Sequence, residues 1–402
     1  MLTFEESMRI IQNLSVRPVG VEKRYLPDAL NRVLAQEVVA KENSPKHPTA
    51  AMDGYAIIGA DQAKGEITVL HDNAAGSDVT GMRVRPGTAI KTFTGSLMPE
   101  GADTLIPVEN VTFEAGKIRI DEPVPEGFSV RPVGENYREG ETLIPKGATL
   151  GFAEIGVMAS LNMVAPLLYQ KPKVAVLATG SEVLELGVCS DNPAQIRSSN
   201  NYTLEALIKQ HGGEAVQLGA VRDDRAAITD AMRQGLESAD ILVTTGGVSV
   251  GDYDFVKDVV RDELGCEVHF KGVLIKPGQH IMVAQKENRF IVALPGFAYS
   301  STVTFLLYVL PILYRLKGQS YTLPVVSARL LDGYRKKTAN KTEFAACNLW
   351  LEEGEYLCDF SGKRSGTSAI MTNLLADAGL LWLNVGEEEK RAGERVRVIR
   401  LR

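Results

Sequence analysis

The chain has 402 residues, 45% of them hydrophobic and 23% charged, which is close to the globular average and excludes a disordered, collagen-like or low-complexity polymer. Its 44 basic and 50 acidic residues leave a formal net charge of -6, so the chain as a whole lacks the positive field that a non-specific nucleic-acid binder needs. Cys189, Cys266, Cys347 and Cys358 form no CxxC pair and do not resemble a disulfide framework, which fits a reducing compartment.

In chain order, MLTFEESMRIIQNL reads as an amphipathic helix with Phe4, Met8, Ile11 and Leu14 on one side. Its early acids, and the lack of a basic segment followed by an apolar one, argue against a signal peptide. From Lys41 to about Val133, the pieces EITVL, RVRPGTAIKTF, DTLIPVENVTF and KIRIDEPV are separated by turn signals and predict an inserted all-β domain. Phe152–Leu161 reads as a helix, and Lys171-Pro172 marks a boundary.

From Lys173 the pattern alternates. VAVLAT is a strand, Asn200–Gln210 a helix ended by Gly212-Gly213, and AVQLGAV a strand. Asp223 or Asp224 caps a helix running to about Leu236, DILVTT is a strand of the continuous apolar type expected when both sheet faces are covered, and Phe255–Leu264 is a helix. VHFKGVLI and RFIVAL are further strands, and Ser300–Leu316 is a long apolar helix. This alternation predicts a parallel α/β sheet. The apolar run Val303–Tyr314 is too short to span a bilayer and contains Pro311, so a cytoplasmic protein is expected. From Leu323, PVVSARLL, EFAACNLWL, EYLCDF, GLLWLNV and RVRVIRL predict a small C-terminal β domain. The expected division is 1–40 with 134–171, then 41–133, 172–320 and 321–402.

Ligands of α/β proteins bind at the carboxyl ends of the strands, and three loops at such ends stand out. Thr179-Gly180-Ser181-Glu182 after VAVLAT offers backbone access, a hydroxyl and a carboxylate, or else is a plain turn and helix cap. Gly246-Gly247-Val248-Ser249-Val250-Gly251-Asp252-Tyr253-Asp254 joins a buried strand to a helix and suits an oxyanion. It is neither a Walker loop nor GxGxxG, and acids beside an anion cradle suggest a bridging Mg²⁺ unless they merely cap the helix. Lys276-Pro277-Gly278-Gln279-His280 places a lysine at a strand end, either for a phosphate or in solvent. Asp53-Gly54, within small residues of the β insertion, is either a turn or a site. No Ser–His–Asp or Cys–His system is evident, and no histidines are paired at metal-ligand spacing.

Taken in order, AMDGYA (51–56), TFTGSLMPEGADTLIPVE (92–109), TGSE, RDD (222–224), TTGGVSVGDYDF (244–255), IKPG (275–278) and ALPG (293–296) resemble one family. It is that of the molybdopterin molybdenumtransferases, the bacterial MoeA proteins and the gephyrin E domain. The resemblance covers nearly the whole chain and is weakest in the C-terminal β region. It implies a multidomain α/β protomer: a helical N-terminal region, an inserted β domain, a three-layer molybdopterin-binding-like α/β domain and a C-terminal β-barrel. It also implies a homodimer whose active site is shared between the α/β domain of one subunit and the β insertion of the other. The implied reaction converts adenylated molybdopterin and molybdate into molybdenum cofactor and AMP with Mg²⁺ assistance. A molybdopterin adenylyltransferase and molybdoenzymes would be partners, with no nucleic acid and no membrane.

Residue by residue, the resemblance implies catalytic roles for Asp53, Glu182, Asp223 and Asp254, the last three as metal ligands. It implies ligand contacts from Thr94, Thr179, Gly180, Ser181, Gly246, Gly247, Val248, Ser249, Gly251, Lys276, Pro277, Gly278 and Pro295. The chain departs from the family pattern at several points. KPGQH stands where KPGKP is common, LPGFAYSS where LPGNPVSA is common, and Gly134-Glu135-Asn136 where GED is common. Asn340–Ala346 lacks an arginine of the usual pattern. These departures open two other readings: a pterin-binding or handover paralogue with little turnover, and a tungstate-preferring version.

Overall fold

A computed structural model describes residues 1–248, 255–364 and 368–401. The chain forms two compact units: Met1–Ala35 with Gly147–Leu150 and Ala165–Arg402, and Gln36–Lys146 with Gly151–Val164.

The first unit opens with helix α1 (Phe4–Asn13). Thr3 Oγ1 accepts from Glu6 N, and Glu6 Oε2 accepts from Thr3 N at 2.8 Å, which satisfies two of the donors that a helix start leaves open. Phe4 and Ile11 are buried as the periodicity predicts, and Ser7 joins them because its hydroxyl bonds Tyr308 Oη at 2.9 Å.

The second unit is built on a six-stranded sheet. Its strands are β1 (Gly54–Ile57), β2 (Glu66–Asn73), β3 (Thr88–Thr92), β4 (Thr104–Pro107), β5 (Val111–Glu114) and β6 (Lys117–Ile120), in the order β4-β1-β3-β2-β6-β5. β1 comes from the stretch read as a turn. It is a short, wholly buried strand between β3 and β4, with no alternation to betray it. Gly54 is required there, since a Cβ would lie 2.3 Å from the Ile106 carbonyl oxygen of β4. The unit also holds α2 (Phe152–Ser160), of which only Met158 is fully buried.

Returning to the first unit, the α/β sheet comprises β7 (Lys173–Thr179), β8 (Glu214–Val221), β9 (Ile241–Thr245), β10 (Glu267–Lys271), then β12 (Met282–Lys286) and β13 (Arg289–Leu294), in the order β8-β7-β9-β13-β12-β10. The two residues β11 (Ile275–Lys276) lie outside it. β8, β7, β9 and β13 are parallel, but β12 runs antiparallel to both its neighbours, β13 and β10, so one reversed strand makes the sheet mixed where an all-parallel one was expected. The cause is the tight Glu287–Asn288 hairpin between β12 and β13, which leaves no room for a crossover helix. Helices α3 (Ser199–Gln210) and α4 (Arg225–Ser238) supply the crossovers. Alternate residues of β7 feed opposite cores: Val174 and Val176 pack with Ile241 and Phe290, and Ala175 and Leu177 with Ile228 and Met232. The helix expected over 255–264 is present but short, with α5 (Val256–Asp258) widening into a looser turn at Val259–Glu263.

The expected strand VHFKGVLI is split. β10 stays in the α/β sheet, while β11 pairs with the C-terminal domain. That domain holds β14 (Val325–Leu330), β15 (Thr342–Glu352), β16 (Glu355–Asp359), β17 (Ala378–Leu383) and β18 (Arg395–Arg400), the five strands read from the sequence. They close into a barrel because β15 pairs with both β16 and β17.

The helix Ala298–Leu316 continues through Pro311 because the turn Phe305–Val309 widens ahead of it, relieving the clash a proline ring makes with the preceding turn. It is long and apolar enough to cross a membrane, but 89% of its apolar window is buried within the protein, as the central helix of a core.

Lys317 ends this helix almost buried, its Nζ 2.7 Å from the His211 carbonyl oxygen and 3.9 Å from the Tyr314 ring centroid. Burial pushes its ammonium down to about 8 from an ordinary 10.5. Between those values the unfolded chain binds more protons, so the lysine penalises folding below about pH 8 and this penalty is relieved as pH rises towards 10.5. Scanning calorimetry should therefore show the gap in melting midpoint between Lys317→Met and the unchanged chain shrinking from pH 7.5 to 9.5. A pH-independent gap would contradict this.

Candidate functional site

The site is assembled where the sheet changes direction. From β7 the chain crosses to β8 on one side, and from β8 it passes over β7 to β9 on the other. The carboxyl ends of β7 and β9 therefore flank a crevice that neither crossover covers. A cavity of about 590 Å³ opens there, lined by Thr179, Glu182, Gly246, Gly247, Val248 and Pro295 among the expected residues. Arg197, Asn200, His280 and Phe297 line it as well.

Glycine is what lets the strand ends meet. Gly246 has φ +94°, and a Cβ there would lie 2.6 Å from the Thr179 carbonyl oxygen. Gly247 has φ +65°, with a Cβ position 2.6 Å from Val256 Cγ2. Gly246 N donates to Leu294 O at 3.2 Å, joining a third strand end. At Gly180 the Glu182 carboxylate folds back so far that a Cβ would stand 2.7 Å from its Oε2.

The two acids after β8 divide their work. Asp224 is the helix cap, its Oδ1 accepting from Ala227 N at 2.8 Å. Asp223 turns to the neighbouring loop: its Oδ2 accepts from Ser181 N at 3.1 Å, and its own N–H donates to Ser181 Oγ at 3.2 Å. Ser181 and Asp223 thus lock the TGSE loop to the end of β8. Glu182 and Asp223 are hard oxygen donors on adjoining loops, the type a Mg²⁺ ion takes. Such an ion is commonly held by one or two carboxylates with phosphate and water completing its shell. No group of three or more His, Cys, Asp or Glu able to hold a metal occurs among the described residues. Ser249, Gly251 and Asp254, and Asp252 beside them, lie outside the described residues.

Lys276, Pro277 and Gly278 do not join this cavity. β11 pairs with β15 of the barrel, and Lys276 Nζ faces the Glu343 carboxylate at 3.9 Å. Glu343 is buried, with Oε1 held by Tyr334 Oη at 2.6 Å and Oε2 without a partner. Lys276 and Pro277 line a separate space of about 20 Å³ beside these groups, enough for a single water. Gly278 packs on the long helix, where a Cβ would overlap Thr304 Cγ2 at 2.2 Å.

Asp53 and Thr94 are together in the second unit. One Asp53 oxygen accepts from Thr94 N at 2.8 Å and from Thr94 Oγ1 at 2.6 Å, and the two bonds hold the carboxyl below its ordinary range.

The sequence reading missed Arg197 and Asn200 as site residues, because neither lies in a strand-end glycine loop: Arg197 ends a two-residue strand and Asn200 sits in the first turn of α3. Arg197 donates to Val188 O at 2.7 Å, and Asn200 Nδ2 donates to Gly296 O at 2.7 Å. The serine pair and asparagine that start α3 were the one available signal. A wider hollow of about 820 Å³ between α1 and the β10 edge is lined by Glu6, Arg9, Glu267 and His269. It has no strand-end glycine loop.

Residues 2–162 match the family described as MoeA N-terminal region (domain I and II), and residues 175–315 match the probable molybdopterin binding domain. The chain is 31% identical over 383 residues to a molybdopterin molybdenumtransferase of Nostoc sp., covering 93% of this chain and 87% of that protein. It is 32% identical over 357 residues to the Haemophilus influenzae protein of the same name, covering 88% and 87%. The crystal structure of a molybdopterin biosynthesis moeA protein from Pyrococcus horikoshii superposes with a TM-score of 0.85 at 26% identity, covering 100% of this chain and 99% of that one.

Since the Thr94 hydroxyl is the first cause of the lowered Asp53 ionisation, Thr94→Val should raise the Asp53 titration midpoint, as followed by the side-chain carboxyl carbon in NMR. An unmoved midpoint would leave the backbone N–H as the sole determinant.

Proposed function

Starting from a chain that belongs to the molybdopterin molybdenumtransferase family, and is thus a transferase of molybdenum cofactor biosynthesis, we propose that it inserts molybdate into adenylated molybdopterin and releases AMP with Mg²⁺ assistance. The observation that carries this reading is the crevice at the β7 and β9 ends. Its floor is glycine backbone and its rim carries Glu182, with Asp223 on the adjoining loop.

In this reading the glycine backbone of the Gly246-Gly247 loop, with no side chains in the way, takes the phosphates. Arg197 lines the same cavity and brings a guanidinium to it, fixed by its bond to the Val188 carbonyl. Glu182, Asp223 and Asp254 would hold the divalent ion, which when bound would supply positive charge against the phosphoanhydride. Ser181 keeps Asp223 oriented through its two hydrogen bonds, so the carboxylate needs little reorganisation to act. Thr94 keeps Asp53 ionised and fixed in the second unit, where it would act on the ligand of a second copy. The apolar helix α2 and the segment after it support a dimer: Phe152 of the helix is 91% exposed and Val164 beyond it 58%, a surface that a second copy would cover.

A handover protein with little turnover is the second reading. The observation favouring it is that Lys276 faces the buried Glu343, which partly cancels a charge otherwise available to an oxyanion. Incubating the purified protein with adenylated molybdopterin, molybdate and Mg²⁺ separates the two. AMP formation supports the enzyme, and tight pterin binding without AMP above background supports handover. Tungstate competing better than molybdate would reassign the anion.

Two variants follow. Asp254→Ala should abolish AMP release while the dimer persists in sedimentation, whereas unchanged turnover would reduce that acid to a helix cap. Phe152→Glu should shift the sedimentation equilibrium to monomer, and a dimer as tight as the parent would place the interface elsewhere.

A further inference from the structure

We propose that Phe297 is a stacking platform for a planar bicyclic heteroaromatic ring in the β7–β9 cavity, and so a specificity-determining residue of this chain. The inference rests on the functional reading above and deepens it.

Single exposed apolar side chains are ordinary on protein surfaces, so the 63% exposure of Phe297 decides nothing by itself. Its mount does. The peptide groups on either side are both held: Gly296 O accepts from Asn200 Nδ2 at 2.7 Å, and Phe297 O accepts from Ser301 N at 2.9 Å. Asn200 is itself engaged on its other side, its Oδ1 accepting from Ser301 Oγ at 3.3 Å. The backbone beneath Phe297 is therefore rigid, and the ring keeps only its two side-chain torsions. A ring with so few torsions loses little freedom when a ligand lands on it.

Its position matters equally. Gly296 packs on the glycine loop, with a Cβ position 3.7 Å from the Gly246 Cα, so Phe297 stands one residue from the proposed phosphate cradle. It lines the same cavity as Ile196, Val183 and Val248, which make that part of the wall apolar, while Arg197 and Glu182 charge the remainder. Among the described residues Phe297 makes no ring contact, although Phe4, Phe344 and Trp382 elsewhere in this unit pack edge to face. A rigidly mounted, unstacked aromatic beside an anion cradle matches a ligand with a flat ring at one end and a phosphate at the other. Adenine and pterin share that chemistry, and either could supply the ring.

The test is isothermal titration of the full chain with AMP, with pterin-6-carboxylate and with inorganic phosphate, using the parent, Phe297→Ala and Phe297→Tyr. The expected result is a loss of about tenfold or more for at least one of the two ring probes in Phe297→Ala, restored in Phe297→Tyr, with phosphate binding unchanged. The probe that weakens identifies the ring. In turnover, Phe297→Ala should raise KM for the adenylated substrate with kcat preserved.

The proposal is overturned by ring affinities in Phe297→Ala within twofold of the parent, or by a loss that Phe297→Tyr does not restore. An equal loss for phosphate, or no binding of either ring probe to the parent at millimolar concentration, overturns it as well. Failure of the functional reading would look different: ring binding that depends on Phe297, with no AMP released by the parent.

Discussion

The constraint on which the site depends is backbone against backbone at the ends of β7 and β9. Gly246 lies so near the Thr179 carbonyl that a single methyl group would collide with it. Three strand ends converge there, since Gly246 also donates to Leu294. The crevice exists because the residues at its floor have no side chains. The backbone is therefore the surface offered to a ligand, and charge has to come from neighbouring loops. Glu182 and Asp223 arrive from the loops after β7 and β8, and Arg197 from the segment before α3.

Rigidity behind the crevice comes from the two apolar faces of the α/β sheet and from the long helix Ala298–Leu316. That helix starts next to Phe297, at the cavity, and ends at Lys317, so the loop before it is fixed to the largest buried element of the unit. The barrel adds a further effect. By pairing with β11 it draws Lys276 towards Glu343 and away from the glycine loops. A half-buried pair of this kind is weak evidence for stability, because desolvation offsets much of the attraction. Its consequence is electrostatic: the lysine is not a bare cation for the larger cavity.

Much of the chain was legible beforehand. A short β-branched, largely apolar run such as ILVTT reads as a strand covered on both faces, and the five C-terminal strands follow from short β-rich pieces between turns. The glycines of TTGGV announced a backbone-lined strand end, and the cavity is there. β1 was not legible, because four buried residues show no period. The reversed direction of β12 was not, because an apolar strand does not record its direction. The continuity of the helix past Pro311 depends on a widened turn that leaves no mark in residue type.

By itself the sequence determined the family, through the resemblance of its motifs, and it determined most strands and helices and which loops are stripped of side chains, since those last properties are local and carried by periodicity and glycine placement. Only the tertiary structure decided which loops share a cavity. Arg197, Asn200 and Phe297 enter it, whereas Lys276 and Gly278 leave it, because strand partnership is a choice among distant segments. It also decided which of two adjacent acids is spent on a helix: Asp224 caps α4, while Asp223 turns to Ser181, a difference of backbone direction that composition does not encode.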